Sequence, residues 1–296
     1  MQAAKSRRFT IMSAASMLMM LSCLGHGWAQ TLNGPSGLAL DAKGNLYVAN
    51  EFGNQVLVYN PNYVQQAGKE ITSGLYYPVG VAFDSKGNVY VANRLSNGGA
   101  GSITQYSSVG VLNSRFSITA LGEPVAITVD AFDDLYVLNA GFILDPNPTI
   151  TVYPLYDTIK GPFLLTTIAL DPNLGPYGIA VHGVDLYVGT ASSWEKGFVS
   201  ELLVAAGGFP VLQSTNSPVV ALATDRAGDL YVVNGNGEVD FWGPAGEVVF
   251  LPPSGSTIFR AGIAVDNARG RVYLSNFQGN QVLVYSTKGT LLHTIQ

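Results

Sequence analysis

The chain has 296 residues, of which 47% are hydrophobic and 12% charged; 15 Lys and Arg stand against 20 Asp and Glu, for a formal net charge of -5, and there is one Cys. So apolar a composition excludes a disordered chain. The acidic balance argues against a nucleic-acid binder, which carries a basic face, and a single Cys excludes a disulfide framework or a cysteine-cluster metal site.

Read from its first residue, the chain opens with Lys5, Arg7 and Arg8, followed by an apolar stretch from Phe9 to Leu24. That stretch is short for a membrane span of about 20 residues and runs into small residues. Gly27-Trp28-Ala29 has the small-x-small form cut by a signal peptidase. Residues 1–29 are therefore read as an export signal, with a mature chain from Gln30 in the periplasm or outside the cell. Two alternatives stand beside this: an uncleaved N-terminal anchor, and a lipid anchor at Cys23, because Leu21-Ser22-Cys23 resembles the end of a bacterial lipoprotein signal. Removing residues 1–29 takes away three basic residues and no acidic one, which moves the net charge from -5 to -8.

Beyond the signal one pattern recurs six times. Pro35-Ser-Gly-Leu-Ala-Leu-Asp41-Ala-Lys-Gly44-Asn-Leu-Tyr47-Val-Ala-Asn50 returns as Pro78 to Asn93, then as Pro124 to Asn139, Pro176 to Thr190, Pro218 to Asn234 and a last copy from Gly262 to Asn276. Its Tyr anchors (47, 90, 136, 187, 231, 273) lie 43, 46, 51, 44 and 42 residues apart. Each unit predicts strands. Leu38-Ala39-Leu40 is a short apolar run. Asp41-x-x-Gly44 is a turn, in which the Asp side chain bonds nearby backbone and Gly accepts positive φ. Leu46-Tyr47-Val48-Ala49 and Gln55 to Tyr59 are further strands. A fourth strand is expected around Ile71, Phe116, Leu165, Val211, Val248 and Leu291. The fourth copy is one residue shorter and carries His182 in the Asp position.

These runs are apolar on both faces rather than alternating, so both faces must be covered. Small sheets standing radially and stacked on two neighbours satisfy that, and four strands per 40–50 residues is the β-propeller pattern. The expected fold is all-β: one six-bladed propeller over residues 30–296, with blades near 34–75, 76–121, 122–173, 174–215, 216–257 and 258–296. The sixth blade is expected to close on the first without a swapped outer strand, with Thr31-Leu32 as a candidate latch. A linear solenoid is disfavoured because the end copies are as regular as the middle ones.

The order Pro-x-Gly-(Val/Leu/Ile)-Ala-x-Asp, Gly-Asn-(Leu/Val)-Tyr-Val-Ala-Asn and Gly-Asn-Gln-Val-x-Val-Tyr resembles the NHL-repeat family of six-bladed propellers. Gly53-Asn54-Gln55-Val56 and Gly279-Asn280-Gln281-Val282 carry the likeness at the third strand. Where that family usually has Asp after Tyr-Val-Ala, this chain has Asn50, Asn93, Asn139, Asn234 and Asn276, and Thr190 in the fourth copy. That substitution also resembles the Tyr-Val-Thr-Asn class of secreted bacterial propellers.

In a propeller the loops between strands two and three share a face with the loops entering strand one. Loops on a rigid scaffold commonly carry binding. The long loops of blades two to four, the entering loops and the short loop Phe277-Gln278-Gly279 of blade six supply the candidate site: Tyr77, Arg94, Phe142, Tyr177, Trp194, Arg260 and Phe277. The Asn ring and the turn Asp residues are read as bonding local backbone. After residue 29 only His182 and His293 remain, too few for a three-His zinc site, and no Gly-x-Ser-x-Gly is present. Glu51, Glu123 and Asp145 are the channel carboxylates available to a metal. No catalytic set, metal site or cofactor is implied. The expected function is an exported binding module for a protein, peptide or glycan; a metal-dependent hydrolase, lactonase or lyase acting in the channel is the alternative.

Overall fold

A computed structural model describes residues 30–95, 99–140, 147–155, 162–193, 195–202, 211–251 and 261–296, with backbone only at Leu202 and Val211. The export-signal and Cys23 readings fall on residues 1–29, outside the described residues.

The repeat folds as six antiparallel sheets. Blade one holds β1 (Pro35–Leu40), β2 (Leu46–Asn50) and β3 (Gln55–Tyr59); blade two holds β4 (Pro78–Phe83), β5 (Val89–Asn93), β6 (Gly101–Tyr106) and β7 (Leu112–Leu121). Blade three is β8 (Pro124–Val129), β9 (Asp134–Asn139), β10 (Thr149–Pro154) and β11 (Thr166–Ala169). Blade four is β12 (Gly175–His182), β13 (Asp185–Ser193), β14 (Lys196–Leu202) and β15 (Val211–Thr215). Blade five is β16 (Val219–Thr224), β17 (Leu230–Asn234), β18 (Val239–Gly243) and β19 (Gly246–Leu251); blade six is β20 (Ile263–Asp266), β21 (Arg271–Asn276), β22 (Gln281–Ser286) and β23 (Leu291–Ile295). Strand order follows the chain in every sheet, as a meander. In blade one the expected fourth strand shrinks to a single bridge, in which Val56 and Ile71 exchange backbone hydrogen bonds of 2.9 and 3.0 Å.

The two-faced apolar runs are explained residue by residue in β2. Leu46 and Val48 pack with Tyr273, Val282 and Val284 of blade six. Tyr47 and Ala49 turn to the opposite face and pack with Val81, Val89 and Val91 of blade two. Successive side chains of a strand point to opposite faces, so a strand between two blades has no solvent side and is apolar along most of its length.

The Asp turns form as the spacing predicts. Asp41 Oδ1 accepts the backbone N–H groups of Lys43 and Asn45 at 2.9 and 2.8 Å, and Asp84, Asp130 and Asp225 repeat both bonds on their own turns. The shorter fourth copy makes a two-residue turn, Gly183-Val184, with Gly183 at φ 61°.

The Gly-Asn-Gln-Val motif joins blades. Asn54 and Asn280 adopt left-handed φ of 49° and 51°. This aims each side-chain oxygen at the next blade: Asn54 Oδ1 accepts the Tyr77 N–H, and Asn280 Oδ1 accepts the Gly34 N–H, both at 2.8 Å. The second of these bonds crosses the seam between blade six and blade one. Ser275 Oγ, donating to Ser36 O at 2.8 Å, and Arg271 Nη1, donating to Pro61 O at 2.6 Å, add to it. Thr31-Leu32 does not form a strand; Leu32 is buried in the core shared by blades six and one, and Thr31 O accepts from Asn50 Nδ2 at 3.2 Å.

Candidate functional site

The first strands of the blades surround the central channel, one per blade, and set its lining in three tiers. The narrow middle tier is Gly37, Gly80, Ala126, Gly178, Ala221 and Gly262. Small residues are required there because blades converge: a Cβ on Gly37 would stand 2.5 Å from Val79 O, and one on Gly262 would stand 2.2 Å from Ser36 O. On one side the tier is apolar, with Leu38, Val81, Ile127, Ile179, Leu222 and Ile263. On the other side Ser36, Val79, Val125, Tyr177, Val220 and Ala261 widen into a cavity of about 270 Å³ that Arg94, Glu123 and Ala140 complete.

This mouth opens on the face shared by the entering loops and the loops between strands two and three. Backbone bonds hold the two loop sets together: Arg94 N–H donates to Tyr77 O at 3.1 Å and Ala140 N–H to Glu123 O at 2.8 Å. Arg94 follows β5, Glu123 precedes β8, and Glu51 starts the 3-10 turn Glu51–Gly53 after β2. The guanidinium of Arg94 therefore reaches across three blades. Its Nη2 pairs with Glu51, whose side chain is fully buried, and its Nη1 lies 3.5 Å from Glu123 Oε1. Burial pushes the Glu123 carboxyl above the usual carboxylate range. The mouth thus combines a carboxylate, a guanidinium and a phenol over an apolar floor, the few convergent polar groups that mark ligand sites, while the Ser36 hydroxyl is turned to the backbone carbonyls of Ala49 and Pro78.

Of the residues that the sequence nominates, Arg94 and Tyr177 line this cavity. Tyr77 and Phe277 lie elsewhere on the same face. Each packs edge-on against Phe52, at 6.3 and 5.2 Å between ring centroids, and the three rings form an aromatic row over blades six, one and two. Phe52 is half exposed. Phe142, Trp194, Arg260 and the channel candidate Asp145 lie outside the described residues. Phe52 sits in the three-residue turn Glu51–Gly53, where loop length gives no signal of a site. Ser36 occupies a variable position of the repeat, filled by Val79, Val125 and Tyr177 in the next copies, so the pattern does not mark it.

Three residues of the Asn ring accept from nearby backbone. Asn50 and Asn93 accept backbone N–H groups of Asn33 and Tyr76 at 2.5 and 3.0 Å. Asn276 accepts from Gly279 N–H at 2.9 Å. His182 lies beside Gly228 at the first turn of its blade, and His293 stacks on Tyr63 at 4.4 Å in an outer strand; neither lines the mouth. Among the described residues no group of three or more His, Cys, Asp or Glu side chains could hold a metal ion.

Residues 62–92 match the SBBP beta-propeller repeat family. No curated protein matches the chain. Solved structures do. The chain is similar to a streptogramin B lyase, with 13% identity and a TM-score of 0.62 over 91% of this chain and 85% of that one. It is similar to virginiamycin B lyase from Staphylococcus aureus, at 14% identity and a TM-score of 0.59 over 89% and 86% of the two chains. A variant of that lyase with one histidine replaced by alanine, crystallised with quinupristin, is catalytically inactive. A gluconolactonase from Xanthomonas campestris is similar at 17% identity and a TM-score of 0.58 over 88% and 89%. At these identities the likeness is one of fold.

Proposed function

We propose that this chain is an exported, NHL-like propeller that acts as a binding module, with the channel mouth as its recognition centre and the surrounding loop face as its rim. The observation that carries this reading is the mouth itself: a cavity of about 270 Å³ in which Arg94, Glu123 and Tyr177 converge over an apolar floor. The cavity lies below the roughly 300–1,000 Å³ of drug-sized sites, so it suits a small ligand or one inserted group of a larger partner. Tyr77, Phe277 and Phe52 supply exposed ring surface beside it for a protein, peptide or glycan. Phe142, Trp194 and Arg260 belong to loops that the repeat assigns to the same face.

A second reading is an enzyme of the lactonase, hydrolase or lyase kind, with its site in the channel. It is favoured by Glu123, a carboxyl raised by burial beside a guanidinium, as general acids and bases are. Against the lyase form stands the position of both described histidines away from the mouth. Turnover of a simple lactone, with and without added calcium, checks it: turnover abolished by Glu123→Gln favours the enzyme.

The binding reading is tested by a ligand-observed NMR screen of small polar fragments, run on the protein and on Val125→Phe. Val125 is half-buried in the cavity wall, and a ring there fills the mouth. Binders that disappear in the variant while its melting temperature holds support the site. A set of binders unchanged by the plug contradicts it.

A further inference from the structure

The charges of the mouth select the kind of ligand it takes, an inference that rests on the mouth being the binding site. Among the described residues three formal charges meet there, two carboxylates and one guanidinium, and they are unevenly paired. Arg94 makes its close contact with Glu51, whose side chain is fully buried, and only the longer 3.5 Å approach to Glu123. Glu51 cannot exchange this partner for water, because a buried carboxylate stripped of its cation is strongly disfavoured. Arg94 is therefore committed to Glu51. An anionic ligand would have to draw it away.

Glu123 is in the opposite position. Its side chain is 34% exposed, it lines the cavity, and its share of Arg94 is the weaker one. Desolvation by the apolar wall disfavours its charged form, a penalty that an incoming cation relieves. The same cavity is lined by Val79, Val125 and Val220, which accept methylene groups, and by Tyr177, whose ring type attracts cations.

We propose that the mouth receives an alkylammonium group, with the cation on the Glu123 carboxylate and its short apolar stem among Val79, Val125, Val220 and Tyr177. Two sources share that chemistry: a free small amine and the lysine side chain of a protein partner.

Pentylamine, pentanoate and pentanol have similar length and differ in charge, so they serve as probes. Each is titrated into the purified protein while the Tyr177 ring resonances are followed by NMR, assigned with Tyr177→Phe. The proposal expects pentylammonium to bind at least tenfold more tightly than pentanoate or pentanol. It also expects at least a tenfold loss in Glu123→Gln, whose melting temperature is measured alongside. Should that variant fail to fold, raised salt must still weaken pentylammonium selectively. Pentanoate or pentanol binding as tightly as the amine would overturn the charge assignment while leaving the site standing. If none of the three moves the Tyr177 signals, the mouth reading falls with it. Nα-acetyl-lysine N-methylamide forms the last arm. Tighter binding than pentylamine supports a lysine of a partner as the source, weaker binding supports a free amine, and equal displacement by pentanoate overturns both.

Discussion

Asp240 occupies, in the third strand of blade five, the position that threonine fills in two other blades. Asn93 Nδ2 donates to Thr104 Oγ1 at 3.2 Å and Asn139 Nδ2 to Thr151 Oγ1 at 3.3 Å; in blade five Asn234 Nδ2 donates to Asp240 Oδ2 at 2.6 Å. Thr makes this contact without charge, whereas Asp240 brings an acid into the blade interior. Burial, partly offset by the Asn234 bond and helped by Glu238 and Glu247, raises its carboxyl to about 6. An unfolded Asp titrates near 3.9. The folded state therefore binds the proton more tightly, and stability falls as pH rises from about 4 through about 6, then levels. Asp240→Asn keeps an acceptor oxygen for Asn234 and removes the charge. Thermal melts should show little difference from the parent at pH 4 and a gain of about 1–3 kcal/mol at pH 7. A variant less stable than the parent at pH 7 would contradict the assignment.

At the scale of elements, the inner strand decides how closely the blades approach. Its Pro-x-Gly opening was legible as a repeat, but the reason for the glycine was not, because the constraint comes from the neighbouring blade. A Cβ on Gly262 would meet Ser36 O at 2.2 Å and one on Gly37 would meet Val79 O at 2.5 Å, both rigid backbone. At Gly178 the nearest atom is Ala221 Cα at 3.0 Å, and at Gly80 it is an Ile127 side-chain carbon at 3.2 Å that can yield. Alanine substitutions should therefore rank in cost, with Gly262 and Gly37 highest, at about 1–3 kcal/mol, and Gly80 lowest. Denaturant titrations of the four variants check the order; Gly80→Ala costing as much as Gly262→Ala would contradict it. The blade strands themselves were readable in the same way as β2, from runs such as Leu46-Tyr47-Val48-Ala49 with no polar position. The fourth strand of blade one was harder to place, because Ile71 stands almost alone as an apolar residue between Gly68 and Gly74.

At the scale of the whole molecule, the ring places together residues that the sequence keeps apart. The six-fold repeat and the Asp turns made the propeller readable, since each copy specifies its own blade through local spacing. The mouth was only partly readable. Glu51, Arg94 and Glu123 stand in loops of three successive blades, and nothing within one repeat announces that Arg94 reaches both carboxylates. The loops alone point to Arg94 and Tyr177, which line the cavity, and to Tyr77 and Phe277, which form a separate row with Phe52. Two candidate surfaces thus share one face of the ring, and the convergent polar groups favour the channel mouth for recognition. Crystals of the protein soaked with a library of small polar fragments test this most directly. The highest occupancy is expected inside the mouth, within hydrogen-bond reach of Glu123 or Tyr177; fragments gathered on the Phe52, Tyr77 and Phe277 row or on the opposite face, with the mouth vacant, would contradict this assignment.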